Sequence, residues 1–252
     1  MTDTLFPTDA APQDRTARQG PLAPSARPIS FTSESVHGIE QNLKSQTRRA
    51  IYPQPKAPGP IEQHPGKRGQ WRGPEGYGDP LWKCPYGVPG DQLWIREMWA
   101  RVEPHPEVDE DYSLPIIAWR IKKNPILLAY WRKRVVLLAD FPDKQPEECG
   151  RGASDNQWRS PVTMPRWASR LLLEIAAVRA ERVKEISPRD CEAEGIVVYR
   201  DSRVVHAGED RRFDAIYVEE FARLWDSING QKNPWAANPL VWAISFRRIE
   251  SV

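Results

Sequence analysis

The segment from Lys44 to Arg49, Lys-Ser-Gln-Thr-Arg-Arg, holds the side chains best suited to chemistry. It offers the ammonium of Lys44, the hydroxyl of Thr47 and the guanidinium groups of Arg48 and Arg49. An ammonium is a mobile point charge and a guanidinium is a rigid fork, so together they suit a phosphate or a carbonyl oxygen. The same cations could instead only complement the negative C-terminal end of a preceding helix, and the sequence leaves both interpretations open.

A lone acid, Glu97, stands on an otherwise apolar pattern. Residues 91–102 predict a strand on which Leu93, Ile95, Glu97 and Trp99 share one face. A carboxylate at such a place must find a cation or be protonated, because burying it unpaired is costly. Beside a lysine, Glu97 could act as a general acid or base. A salt bridge to an arginine that only fixes the fold is the alternative.

Tryptophan and arginine alternate over residues 158–170, a pattern that suits stacking on bases and contact with phosphates. Tryptophan is also a common core residue, and the chain has 11 of them. We expect Trp225 and Trp242 in the core, and Trp158 or Trp167 at a ligand. The residues predicted to bind nucleic acid are Arg48, Arg49, Arg96, Trp158, Arg166, Trp167 and Arg170.

A second basic segment, residues 112–139, contains no acid and interleaves cations with aromatic residues. It could follow a nucleic-acid backbone, or it could be a solvated insertion. The formal net charge is only +2, so charge alone does not indicate a nucleic-acid-binding protein.

Several other classes lack sequence support. The three cysteines and four histidines are scattered, so neither a disulfide framework nor a metal site is expected. No P-loop, GxSxG, HExxH or dinucleotide fingerprint occurs, and no cofactor is expected. The chain has no run of eighteen apolar residues and no apolar signal core at its start. We therefore expect a cytoplasmic protein with no membrane partner and an oligomeric state that the sequence leaves open.

The elements that must position these residues predict an α+β fold. We expect residues 1–28 to be a disordered tail, and residues 29–252 to form one domain with loop insertions near 53–90 and 103–160. Predicted strands cover 29–31, 91–102, 135–138, 170–178 and 240–246. Predicted helices cover 33–44, capped by Ser33 or Ser35, a short segment from Ser187 to Gly195, and an amphipathic segment ending at Asn229-Gly230.

Four segments, in this order, carry a resemblance to a known family. They are Lys44–Arg49, Cys84–Trp99 with Gly90-Asp91 and Trp-Ile-Arg-Glu, Met164–Arg170, and Phe221–Phe246 with Trp225, Asn229 and Asn238-Pro239. Together they resemble the ASCH-domain proteins encoded by tailed phages and prophages, some of which are labelled morphogenetic proteins. The resemblance covers about residues 29–250, and it implies that the protein works in a bacterial host cell.

The resemblance implies a PUA-like mixed β-barrel with short flanking helices and a cleft between the first helix and the barrel mouth. Such domains bind RNA, and one ASCH branch removes acetyl groups from acetylcytidine with a Lys, a Thr three residues later and a Glu. Lys44 and Thr47 match that spacing, and Glu97 is the expected third member.

Three functions remain open at this point. The first is recognition of RNA, single-stranded nucleic acid or a modified nucleobase in a basic cleft. The second is amide hydrolysis of an acylated nucleoside by Lys44, Thr47 and Glu97. The third is a structural or host-interaction role in a phage.

Overall fold

A computed structural model of the chain describes residues 26–56, 59, 61–74, 81–101, 135–137, 158–200 and 202–249. The predicted tail lies outside the described residues except for 26–28, and the basic segment 112–139 lies outside except for 135–137. The described residues form helices and a mixed sheet, which confirms the predicted α+β class.

Three α-helices and twelve strands lie within the described residues. The helices are α1 Ser33–Glu40, α2 Pro188–Ala193 and α3 Arg211–Asn229. The strands are β1 Arg27–Ser30, β2 Gln46–Ala50, β3 Glu62–Gln63, β4 Gln70–Arg72, β5 Trp82–Lys83, β6 Gln92–Arg96, β7 Trp99–Arg101, β8 Val135–Leu137, β9 Leu172–Arg182, β10 Tyr199–Arg200, β11 Arg203–Val204 and β12 Leu240–Ile249.

A five-stranded sheet in the order β1-β6-β9-β12-β2 forms the centre of the fold. The β1–β6 pair is parallel and the other pairs are antiparallel. The two edge strands lie close to each other. Nη2 of Arg49 on β2 donates a 2.7 Å hydrogen bond to the carbonyl oxygen of Ser30 on β1. The sheet is therefore strongly curled, and a side chain links its two edges.

Strand β12 is buried on both faces because it separates two hydrophobic clusters. Leu240, Trp242 and Ile244 point into the cluster enclosed by the curled sheet. Val241 points the other way, into a cluster that contains Phe221 of α3. Because successive side chains of β12 point to opposite faces, this strand packs against the interior of the sheet on one face and against the helices on the other.

Helix α3 ends at Asn229, as its sequence predicts. Its buried residues Tyr217, Phe221 and Trp225 are four apart, so they share one face. Asp210 caps its start and Gly230 follows its end. Trp225 and Trp242 are both buried, as predicted.

Helix α1 ends at Glu40 and is therefore shorter than predicted, and a strand that was not predicted follows at Gln46–Ala50. Thr32, rather than Ser33 or Ser35, caps the helix by accepting from the backbone of Ser35. The chain leaves the helix after Glu40, and Asn42 adopts the left-handed φ of 59°. Residues 46–50 then pair with β12 as an edge strand, a pairing that a polar sequence does not reveal.

Two further predictions need correction. The strand predicted over 91–102 is interrupted at Glu97 and Met98, between β6 and β7. The segment 53–90, predicted as a loop, contributes the small antiparallel sheet β3-β4-β5, whose Trp71 and Trp82 are buried in the main core.

Candidate functional site

A cavity of about 230 Å³ opens beside β2, and it is called the first cavity below. Its walls come from the end of β1, the start of α1, strand β2, the end of α2, the C-terminal half of α3 and Pro161. Its polar lining includes Lys44, Thr47, Arg48, Arg49, Glu194 and Asn229, and its apolar lining includes Phe31, Phe221, Leu224, Trp225 and Ile228.

Lys44 and Glu194 form a buried ion pair in the first cavity. The Nζ of Lys44 lies 2.8 Å from Oε2 of Glu194 and 2.6 Å from its carbonyl oxygen. Both side chains are almost fully buried, at 6% and 4% exposure. Two acceptors on one residue therefore fix the position of the ammonium group.

The end of α2 explains why Glu194 can reach Lys44. Ser187 caps this helix, as predicted, and its side-chain oxygen accepts from the backbone of Asp190. Gly195 follows with a φ of 95°, which favours glycine, and the position of its absent side chain borders the aliphatic stem of Lys44. The helix end thus brings a carbonyl and a carboxylate to one ammonium group.

Thr47 lines the same cavity as Lys44, as the Lys-x-x-Thr spacing predicts. The residue is 4% exposed, and among the described residues its hydroxyl has no hydrogen-bond partner. A hydroxyl that lines a cavity without a protein partner is free to bond to a ligand or to act as a nucleophile.

Arg48 borders the first cavity, and its guanidinium group lies in a network of carboxylates. Its side chain is fully buried, and Nη2 lies 2.6 Å from Glu181 and 3.2 Å from Asp190. Its Nη1 lies 3.2 Å from Glu194. The prediction that Arg48 contacts phosphate therefore needs correction, because its charge is already neutralised inside the protein.

The titration of the network reflects these contacts. Burial alone would raise the pKa of the Asp190 carboxyl, but the positive charges of Arg48 and Arg179 outweigh it and lower that pKa. Burial works against the charge of Arg179, yet Glu181 and Asp190 outweigh burial and raise its pKa. Asp190 and Arg179 are therefore both stabilised in their charged forms.

Arg49 is the cation of β2 that remains available to bind an anion. It donates to Ser30 and lies 5.2 Å from the centre of the Phe31 ring. Its Nε is buried without a hydrogen-bond partner, and no described carboxylate forms an ion pair with it. Within the described residues, Arg49 is thus the one predicted cation of β2 whose charge is not neutralised.

The structure does not bring Glu97 to Lys44, so this expected convergence was wrong. The carboxylate of Glu97 is 1% exposed and lies 3.2 Å from Nε of Arg170. Arg170 also lies 3.3 Å from Glu40 at the end of α1. The buried carboxylate of Glu97 is therefore paired with the guanidinium group of Arg170, and it does not line the first cavity.

Arg96 and Arg166 lie together on another part of the surface. Their guanidinium carbons lie 5.8 Å and 5.5 Å from the centre of the Trp94 ring. Arg96 also donates to the carbonyl oxygen of Val162 at 3.3 Å. Burial lowers the pKa of the Arg166 guanidinium. Neither is paired with a described carboxylate, so both remain candidates for contact with an anion.

The two tryptophans of the same segment differ. Trp167 is 49% exposed, whereas Trp158 is half-buried. Neither residue lines the first cavity. The segment still borders the first cavity through Pro161, while its two tryptophans lie outside the cavity lining.

Sequence analysis missed Glu194 as the acid of the site. The only local signal was an acid placed directly before the glycine that ends a predicted helix. Lys44 lies 150 residues earlier, and no local pattern links the two.

Metal binding and membrane insertion can each be compared with the described structure. Among the described residues, no group of three or more histidine, cysteine or acidic side chains could hold a metal ion. None of the helices within that part of the chain has the length and apolar character to cross a bilayer. Comparison of the chain with protein-family models, curated proteins and solved structures found no match.

Proposed function

We propose that this chain is an ASCH-type, PUA-like module whose first cavity receives a modified nucleobase. The observation that carries the proposal is the meeting of Lys44, Thr47 and Glu194, all buried, at one cavity. The curled, mixed sheet with linked edges supports the PUA-like assignment. Polar groups buried beside an apolar wall are typical of small-molecule sites, because they orient a ligand whose flat faces contact the wall.

The charges of the first cavity favour a base over a nucleic-acid backbone. The ammonium of Lys44 and the guanidinium of Arg48 are matched by carboxylates, so the floor is polar and not strongly basic. A nucleobase edge presents donors and acceptors side by side, which a paired ammonium and carboxylate can meet. Phe31, Phe221 and Trp225 supply apolar wall for the faces of the base.

Binding of nucleosides tests this proposal. Calorimetric titration with N4-acetylcytidine, cytidine and a panel of other modified nucleosides should reveal one that binds. The Thr47→Val variant should weaken that binding by about tenfold or more, because a buried ligand group then loses its hydrogen-bond partner. Ser227→Ala removes an exposed hydroxyl of α3 and is the matched control. Failure of every nucleoside to bind would refute the proposal.

A second candidate function is hydrolysis of an acylated nucleoside. The contact between Lys44 and Glu194, with the Thr47 hydroxyl in the same cavity, specifically favours it. Glu194 would take the proton of the Thr47 hydroxyl while Oγ1 of Thr47 bonds to the amide carbonyl carbon. Lys44 would give a proton to the departing amine as the carbon–nitrogen bond breaks. Water would then attack the threonyl ester and give a proton to Lys44, while Glu194 returns its proton to the Thr47 oxygen. The acid is released and all three side chains are restored.

Product analysis tests the catalytic candidate separately. The protein should convert N4-acetylcytidine to cytidine and acetate, and Thr47→Val should abolish turnover while the circular dichroism spectrum is retained. Glu194→Gln keeps the shape of the side chain and should also abolish turnover. Turnover that is unchanged in both variants would exclude this set of residues. Binding without turnover in the wild type would leave the recognition function alone.

A further inference from the structure

A second cavity of about 570 Å³ adjoins the first, and the proposed base site does not include it. The two cavities share Arg49 and Asn229 in their walls. The second is bordered by the aromatic residues Tyr52, Trp82, Tyr86 and Trp242 and by Lys83. It therefore lies on the other side of Arg49 from the proposed base site.

Tyr52 is the most exposed aromatic residue of this wall. The residue is 63% exposed, although its hydroxyl accepts a hydrogen bond from the side-chain amide of Asn233. An exposed ring that is fixed at its far end offers a preformed flat surface at little entropic cost. Such rings are the usual platforms on which the bases of a single strand stack, since every base has a π-face.

Arg49 lies where the two cavities meet. Its buried Nε lacks a partner, and no described carboxylate neutralises it. Successive nucleosides of a strand are joined by a phosphate, and an arginine fork is well suited to hold one. A base on each side of Arg49 would place the linking phosphate beside this uncompensated charge.

We propose that the second cavity binds the nucleotide adjacent to the one in the first cavity, so that the ligand is a single-stranded oligonucleotide and not a free nucleoside. Tyr52 stacks on the adjacent base, and Arg49 binds the phosphate between the two nucleotides. This inference rests on the proposed base-binding function of the first cavity.

Paired titrations test the inference. The probes are N4-acetylcytidine and trinucleotides with N4-acetylcytidine between two uridines or two deoxyuridines, which compare RNA with DNA. The wild type should bind a trinucleotide at least tenfold more tightly than the nucleoside. Tyr52→Leu should remove about tenfold of that gain, as expected for loss of one stacked base, and should leave nucleoside affinity unchanged. Tyr52→Phe should keep the gain.

Matched controls separate this site from general surface effects. Tyr199→Leu removes a tyrosine of equal exposure, 65%, elsewhere on the molecule and should change neither affinity. Arg49→Gln should flatten the salt dependence of trinucleotide binding by about 0.7 in log–log slope, which corresponds to one phosphate of a single strand. Arg203→Gln, at an exposed arginine, should not.

The outcomes are distinct. If the nucleoside binds but Tyr52→Leu leaves the trinucleotide gain intact, the inference is wrong and the proposed function survives. If the trinucleotides bind no more tightly than the nucleoside, the second cavity is not a nucleotide site. If neither probe binds the wild type, both the proposed function and the inference fail.

Discussion

Arg48 and Arg49 are neighbours on β2, but their surroundings predict opposite effects of the same substitution. Arg48 is buried among Glu181, Asp190 and Glu194. Arg49 is only half-buried and has no carboxylate partner among the described residues. We expect Arg48→Met to destabilise the fold severely, and Arg49→Met to leave it largely intact while weakening oligonucleotide binding.

The magnitude follows from the charges that each change leaves behind. Without Arg48, the cations that still pair with its three carboxylate partners within the described residues are Lys44 and Arg179. Removing one partner of a buried ionic network costs about 3–5 kcal/mol, because a charge remains buried and uncompensated. Arg49→Met loses one hydrogen bond to Ser30, so we expect a cost of about 1–2 kcal/mol.

Thermal unfolding measures this difference. In a domain of this size, 1 kcal/mol shifts Tm by about 2–4 °C. A loss of 4 kcal/mol in Arg48→Met should therefore lower Tm by about 8–16 °C. The smaller loss in Arg49→Met should lower it by about 2–8 °C. Circular dichroism at two concentrations of protein gives both values and detects aggregation.

Two results would refute the reasoning. Equal Tm values for the two variants would show that the network around Arg48 does not contribute to stability. A loss below about 1 kcal/mol in Arg48→Met would mean that water reaches the carboxylates and screens them. Adding Glu181→Gln to Arg48→Met removes one uncompensated carboxylate, so the double variant should regain part of the lost stability.

Three more predictions concern stability and reactivity. The pKa of Asp190 is lowered in the folded state, so its contribution to stability is present above pH 3.8 and is lost as the pH falls through the folded-state value. The urea concentration at the unfolding midpoint should therefore decline below about pH 4, and Asp190→Asn should flatten that decline. Ser187→Ala removes the cap of α2 and should cost about 1 kcal/mol, with an unchanged Tm as the contrary result. Burial raises the pKa of the Cys84 thiol and raises that of Cys191 to about 12; in a Cys149→Ser background, neither thiol should react with a disulfide reagent at pH 8 before unfolding.

Sequence patterns predicted those elements whose residues carry local signals. The Ser187-Pro188 start of α2 and the Asn229-Gly230 end of α3 were correct, because caps and breakers act within one turn. The alternation of β12 was also correct over residues 240–246. By contrast, β2 is polar and owes its strand conformation to pairing with β12, which is a tertiary effect.

The candidate site was predicted in part. Lys44 and Thr47 share a cavity as their spacing suggested, since both belong to one short segment. Glu97 was a reasonable choice because a buried acid needs a cation, but the choice between Lys44 and Arg170 depended on the path of the chain. Glu194 was missed for the same reason, because the contact with Lys44 spans 150 residues.

The two-faced burial of β12 has a consequence for how the molecule loses structure. Helix α3 rests on one face of this strand, and the interior of the curled sheet rests on the other. Detaching the helix would expose Val241 to water and would loosen a strand that also completes the sheet. Neither layer can therefore open far without the other, and partial opening is confined to segments that do not pack on β12.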